Sequence, residues 1–275
     1  MPAILYPLPD IAEHVVQAEL VRPERANRRG EDVAVVELDV TNTDSVTHAI
    51  AAVLAQTGRI DVLINNAGVA AAGVSEAFTD AQVQSMFDVN VIGVQRTLRG
   101  VLPAMRAQND GLIINVGSIL GRVTFPFFGL YGASKFAVEA LTDSFRYEVS
   151  QLGVEVVLVQ PSAYPTNMYA AILQPEDGHR VQAYGEIGTI PGKMFETFMG
   201  IFQGENAPNP HDVAVAITAL VAQPKGERPE RVVVGQAFGA DVINDQTQSV
   251  QHQVVEGLGL GSLARLANLT AAIAA

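Results

Sequence analysis

Leu112-Ile-Ile-Asn-Val-Gly-Ser118, followed thirteen residues later by Tyr131-Gly-Ala-Ser-Lys135, is the stretch on which the fold turns. The near-continuous apolar run ending in Gly-Ser suits a parallel strand covered on both faces. Outward from it, similar runs occur at His14–Val21, Val33–Val40, Ile60–Ile64, Val154–Gln160 and Arg231–Gly235, with helical periodicity over 43–57, 80–107, 132–152 and 211–223. Thr79 with Gln82 reads as a capping box. Asn209-Pro210 reads as an N-cap followed by proline at the first helical position. Strands alternating with helices predict an α/β protein, a doubly wound parallel sheet in one domain spanning residues 1–275.

Composition narrows the function classes. Apolar residues make up 48% of the 275 and charged ones 17%, which is a folding chain with a sizeable core. A net charge of −12 opposes non-specific binding to nucleic acid or to an anionic membrane surface. Without cysteine there is neither disulfide nor thiolate chemistry. Nothing resembles a signal peptide or a membrane-spanning run, so the expected location is cytoplasmic. The five histidines form no ligand pattern, and no metal site is expected. Residues 165–208, rich in Pro, Gly, Met and Phe, read either as a lid over a substrate or as an ordinary helical subdomain.

The chemistry centres on Tyr131 and Lys135. With three lysines and six tyrosines in the chain, chance seldom produces this spacing. On a helix the two share a face. A nearby ammonium favours the phenolate, drawing Tyr131 towards proton exchange at neutral pH. Ser118, placed just past the end of a strand, occupies the edge where open α/β sheets bind ligands. Its hydroxyl can donate to a carbonyl oxygen while Tyr131 delivers the proton.

In order along the chain, Asn65-Asn-Ala-Gly68, Asn90 within Asp-Val-Asn-Val, Gly117-Ser118, Tyr131-Gly-Ala-Ser-Lys135 and Pro161-Ser-Ala-Tyr-Pro-Thr166 resemble the short-chain dehydrogenase/reductase (SDR) family. The resemblance runs from about residue 14 to 240 and implies a Rossmann-like fold. It implies hydride transfer between NADP(H), or NAD(H), and a small-molecule carbonyl or secondary alcohol. Tyr131 is then the general acid/base and Lys135 its tuning partner and ribose ligand. Ser118 positions the carbonyl, and Asn90 supports a water-linked proton relay. Asp39 and Val40 contact the adenine end; Asn65, Ala67, Gly68, Pro161 and Thr166 line the cofactor. Arg22, with Arg25, Arg28 and Arg29 nearby, leans towards a 2′-phosphate and hence NADP. Ser162 stands where the family usually has glycine. Phe125-Pro-Phe-Phe-Gly-Leu130 and the Met/Phe-rich segment suggest an apolar substrate.

One element of the family pattern does not appear. No glycine precedes Gly30, so the glycine-rich turn that presents a helix N-terminus to the pyrophosphate is not in this sequence. Only eight residues lie between Tyr6 and Val15, too few for a parallel crossover. The first βαβ unit is therefore expected to be missing or rearranged. Weak dinucleotide binding follows as an expectation, and with it an alternative: an SDR-derived interaction or structural protein without catalysis. Apolar residues on 91–107 and 132–150, namely Val94, Leu98, Leu102, Phe136, Leu141 and Phe145, suggest a homodimer or homotetramer.

Overall fold

The computed structural model describes residues 2–8, 12–18 and 35–267, the first two segments as backbone strands only. Seven strands form one sheet: β1 (Pro2–Leu8), β2 (Ala12–Ala18), β3 (Val35–Glu37), β4 (Val62–Asn65), β5 (Gly111–Val116), β6 (Val154–Pro161) and β7 (Arg231–Val234), in the order β3-β1-β2-β4-β5-β6-β7. From β2 through β7 the neighbours β2, β4, β5, β6 and β7 are parallel. Strand β1 runs antiparallel to both β2 and β3. The short connection after Leu8 is thus a hairpin, and the first βαβ unit is rearranged. Because β1 reverses against both neighbours, β3 still points the same way as β2 and β4, and its carboxyl end reaches the same edge.

Both faces of the central strands β4, β5 and β6 are buried. Leu63, Ile113 and Val156 pack on one side against helices α1 (Thr43–Thr57), α3 (Gly93–Gln108) and α4 (Gly129–Ser150). Val62, Ile64, Leu112, Ile114, Val157 and Val159 face the other way, towards Leu220 and Val221 of α8 (His211–Ala222). Alternate residues of a strand point to opposite faces, and continuous apolar runs are what burial on both faces demands.

Local signals set the helix starts. Asn42 caps α1 by accepting from the Asp44 and Ser45 amides, and Gly58, at φ 76°, ends it. The Thr79–Gln82 capping box opens α2 (Asp80–Phe87). The Asn209 side chain accepts from the His211 amide at the head of α8. The single helix expected over 80–107 is instead α2, a π-turn at Asp88–Ile92 and α3. Such bulges leave the regular hydrogen-bond ladder and recur at functional sites.

Residues 165–208 fold as α5 (Asn167–Ala170), α6 (Gly178–Ala183), a 3₁₀ turn at Gly185–Thr189 and α7 (Ile190–Gln203). Backbone bonds Ala72 N to Leu173 O (3.0 Å) and Leu173 N to Ala70 O (2.8 Å) tie the segment to the loop after β4. Helix α9 (Ala240–Gly257) follows β7, and a 3₁₀ turn at Gly261–Ala264 comes after it. No helix among the described residues is long and apolar enough to cross a membrane. Two residues counted above as surplus apolar surface belong to the core: Val94 and Leu98 are 6% and 0% exposed. They face α1 and the sheet, so of that set Phe136, at 42% exposure, is the outward one.

Candidate active site

Every parallel crossover returns the chain through the same edge of the sheet, so the loops after β3, β4, β5 and β6 converge there. Those loops carry Asp39 and Val40, Asn65 to Gly68, Ser118, and Pro161 to Thr166. Helix α4 supplies Tyr131 and Lys135 one turn apart, both buried. Arg22, Arg25, Arg28 and Arg29 lie outside the described residues.

The Lys135 ammonium sits 5.7 Å from the centre of the Tyr131 ring and donates to the Val116 carbonyl at 3.1 Å. Burial pulls its pKa from 10.5 down to about 8. Burial also pushes the Tyr131 phenol well above its ordinary range, and the Ser118 hydroxyl, bonded to it, offsets part of that rise. The expectation that Lys135 draws the phenol towards neutrality is corrected in direction: burial of the ring dominates and raises it. Ser118 has a second task, accepting from the Leu120 amide at 3.1 Å as the cap of the 3₁₀ turn Ile119–Gly121.

Asn90 sits in the π-turn, 1% exposed. Its amide oxygen accepts from Val69 N at 2.9 Å, and its NH₂ donates to Val69 O (2.9 Å) and Ser134 Oγ (3.0 Å). That uses the whole side chain to fasten the loop after β4 to α4. A side chain at Gly68 would begin 3.4 Å from the Asn90 oxygen and 3.7 Å from the Lys135 nitrogen. Glycine keeps that space open for a ligand to approach the backbone.

Asp39 is an exposed turn residue whose carboxylate accepts from the Thr41 amide (2.9 Å) and hydroxyl (2.7 Å). These bonds hold its pKa below the ordinary value. Beside it, Val40, Asn65, Ala67, Val89, Gly93 and Val94 line a small cleft.

Sequence reading missed a polar chain buried through the sheet. Thr97 Oγ1 donates to Asn65 Oδ1 (2.7 Å), Asn65 Nδ2 to Asn115 Oδ1 (2.8 Å), and Asn115 Nδ2 to Thr142 Oγ1 (3.0 Å). It joins α3 to α4 across β4 and β5, where Asn65 and Asn115 are register partners. The available signal was an asparagine at the same register of two adjacent apolar strands. Asn115→Leu strands the Asn65 amide and the Thr142 hydroxyl's acceptor side. Unsatisfied buried groups cost roughly 1–3 kcal/mol each, so the urea midpoint should fall clearly; an unchanged midpoint would contradict this account.

A doubly wound sheet that gathers a phenol, an ammonium and a hydroxyl at its carboxyl edge defines a dinucleotide-type α/β protein. The short chain dehydrogenase family model matches residues 12–177. An uncharacterized oxidoreductase of Schizosaccharomyces pombe is 33% identical over 171 residues, 62% of this chain and 70% of that protein. A 3-ketodihydrosphingosine reductase of Bacteroides thetaiotaomicron is 41% identical over 134 residues, 49% of this chain and 50% of its own. A crystal structure of a Burkholderia phymatum SDR in complex with NAD superposes with TM-score 0.61 at 25% identity, covering 78% of this chain and 75% of that one. The chain belongs to the short-chain dehydrogenase family and is an NAD(P)-dependent oxidoreductase.

Proposed function

We propose that this protein reduces an apolar carbonyl compound to a secondary alcohol, or runs the reverse, with Tyr131 as acid/base. The observation that carries this is the buried Tyr131 phenol, with Ser118 bonded to it and Lys135 one turn along the same helix. A bound nicotinamide dinucleotide supplies or takes up the hydride. Tyr131 gives its proton to the carbonyl oxygen as that oxygen gains charge, and in reverse the phenolate takes the alcohol's proton. Ser118 orients the same oxygen. Lys135 holds the ribose hydroxyls and favours the phenolate when it forms. Asn90 keeps the Gly68–Val69 loop in place and so serves the proton relay through position.

The residues present fit the dinucleotide. Gly68 leaves open the approach to Lys135. Asn65, Ala67 and Gly68 line the middle of the cofactor, Pro161 and Thr166 the nicotinamide, and Asp39 with Val40 the adenine cleft. Arg22 is assigned to a 2′-phosphate, which makes NADP the preferred form.

An apolar substrate is supported by the aromatic wall beside Tyr131. Phe128 meets Phe198 edge-on at 6.4 Å, and Phe198 and Phe202 flank the Tyr169 ring at 6.0 and 4.8 Å. Burial pushes the Tyr169 phenol up to about 12, so it stays neutral. Met168, Met194 and Phe198 pack into the same cluster as Tyr131. On this reading 165–208 is a substrate lid. Exposed Phe136 supports a homodimer or homotetramer through α4, and a cytoplasmic location goes with the acidic surface.

The test is a nicotinamide-fluorescence titration with NADPH and NADH, followed by absorbance at 340 nm with 2-nonanone and with acetone. NADPH should bind more tightly, and the long ketone should be reduced faster than the short one. Failure of both dinucleotides to bind at millimolar concentration defeats the reading. Equal rates for the two ketones defeat the apolar-substrate part alone.

A further inference from the structure

Away from the reacting groups lies a closed ring of buried polar side chains that the proposed chemistry does not use. Arg122, directly after the Ser118-capped turn, pairs with Glu139 at 2.9 Å and donates from Nε to Asn244 Oδ1 at 2.9 Å. Asn244 Nδ2 donates to Gln160 Oε1 at 2.6 Å, and Gln160 Nε2 donates back to Glu139. Glu139, Gln160 and Asn244 are each below 10% exposed. With Arg122, the four members come from four places in the sequence: the end of the Ser118-capped turn, α4, the end of β6 and α9. Glu139 follows Lys135 by one helical turn, as Lys135 follows Tyr131, so all three occupy one stripe of α4.

The turn itself is pressed onto that stripe. A side chain at Gly121 would begin 3.0 Å from Glu139 Cγ and 3.1 Å from the Lys135 carbonyl. Backbone bonds from Gly121 N to Ser118 O (2.9 Å) and from Arg122 N to Ile119 O (2.9 Å) make the turn one rigid piece from the serine to the arginine. Moving the Arg122 end therefore moves the Ser118 end.

We infer that Arg122 is a positioning residue: its ring with Glu139, Gln160 and Asn244 holds the Ser118–Gly121 turn against the helix that presents Tyr131. Buried ion pairs are poor sources of net stability, since desolvation offsets their attraction. What the ring supplies is geometry: three of its four links are directional hydrogen bonds, and the fourth, Arg122 Nη2 to Glu139, is an ion pair. Arg231, reaching Glu139 at 3.1 Å from β7, is a second cation on the same carboxylate, and Asp143 pairs with it in turn. The inference rests on the reading above that Ser118 and Tyr131 act as a pair.

The experiment reads that pair without needing turnover. Protein carrying ring-¹³C tyrosine has six labelled residues, and Tyr131→Phe identifies the Tyr131 signal. Ser118→Ala should move that signal, Arg122→Met should move it in the same direction, and the double variant should move it no further than Ser118→Ala alone. Arg122→Lys, which keeps the charge and loses the Nε bond to Asn244, should restore only part of the native position. With a turned-over ketone, Arg122→Met should lower kcat by roughly ten- to a hundredfold, the scale of a small misplacement, with KM nearly unchanged. A role in stability alone would lower the melting temperature and leave the Tyr131 signal in place; that result, with Ser118→Ala still shifting it, overturns the inference. If Ser118→Ala itself leaves the signal still, the pairing of Ser118 with Tyr131 fails instead. Should Arg122→Met not fold, Glu139→Gln is read in the same way.

Discussion

Tyr131→Phe is expected to lower kcat/KM by about 10²–10⁴-fold, the range that a positioned acid/base contributes, while the protein stays folded. The phenyl ring keeps its place in the cluster with Ile119, Leu120 and Phe128, so no cavity opens. What disappears is the hydroxyl and its bond to Ser118. The measurements are initial rates with NADPH and far-UV circular dichroism of both proteins. Retention of more than a tenth of the rate would remove Tyr131 from the mechanism. Burial holds the phenol protonated at neutral pH. Ketone reduction should therefore be nearly flat through neutrality, whereas alcohol oxidation, which needs the phenolate, should rise with pH.

Lys135→Met is expected to do two opposite things: abolish turnover and stabilise the fold. The ammonium is 4% exposed, and burial lowers its pKa from 10.5 to about 8. A fall of that size corresponds to roughly 3 kcal/mol of penalty on the charged form in the folded state. Loss of the Val116 bond returns about 1 kcal/mol of that, leaving a net gain of roughly 1–3 kcal/mol near pH 7 for the methionine variant. The sign follows from proton counting. Between pH 8 and 10.5 the unfolded chain holds the proton that the folded chain has released, so wild-type stability rises with pH in that window. The gap between variant and wild type should be largest below pH 8 and close by about 10.5. Urea midpoints at pH 7 and pH 10 measure it. A variant less stable than wild type at pH 7 would show that the ammonium is not desolvated as described. Storing such a cost in a functional residue is the usual trade between activity and stability.

The sheet was legible because its signals are local. Apolar runs at Leu112–Val116 and Val154–Gln160, the Thr79–Gln82 box and the Tyr131–Lys135 spacing each depend on residues within one or two turns of each other. The sequence also carried a correct warning at its start, since too few residues separate Tyr6 from Val15 for a crossover, and β1 indeed pairs antiparallel. It did not reveal the π-turn at Asn90. That turn depends on Asn90 reaching Val69 and Ser134, 21 and 44 residues away.

By itself, then, the sequence determined the alternation of elements, the class of the fold and the three groups at its carboxyl edge. Periodicity and i, i+4 geometry are properties of neighbours, and they survive in any tertiary context. The tertiary structure alone decided the electrostatics and the long-range polar links. The direction in which the Tyr131 phenol shifts is set by its burial, which i, i+4 spacing does not reveal. Val94 and Leu98 became core rather than interface because α1 packs over them. The chain Thr97–Asn65–Asn115–Thr142 and the ring through Arg122, Glu139, Gln160 and Asn244 join residues up to 122 positions apart. Such links form only where burial removes water and leaves each polar group no other partner.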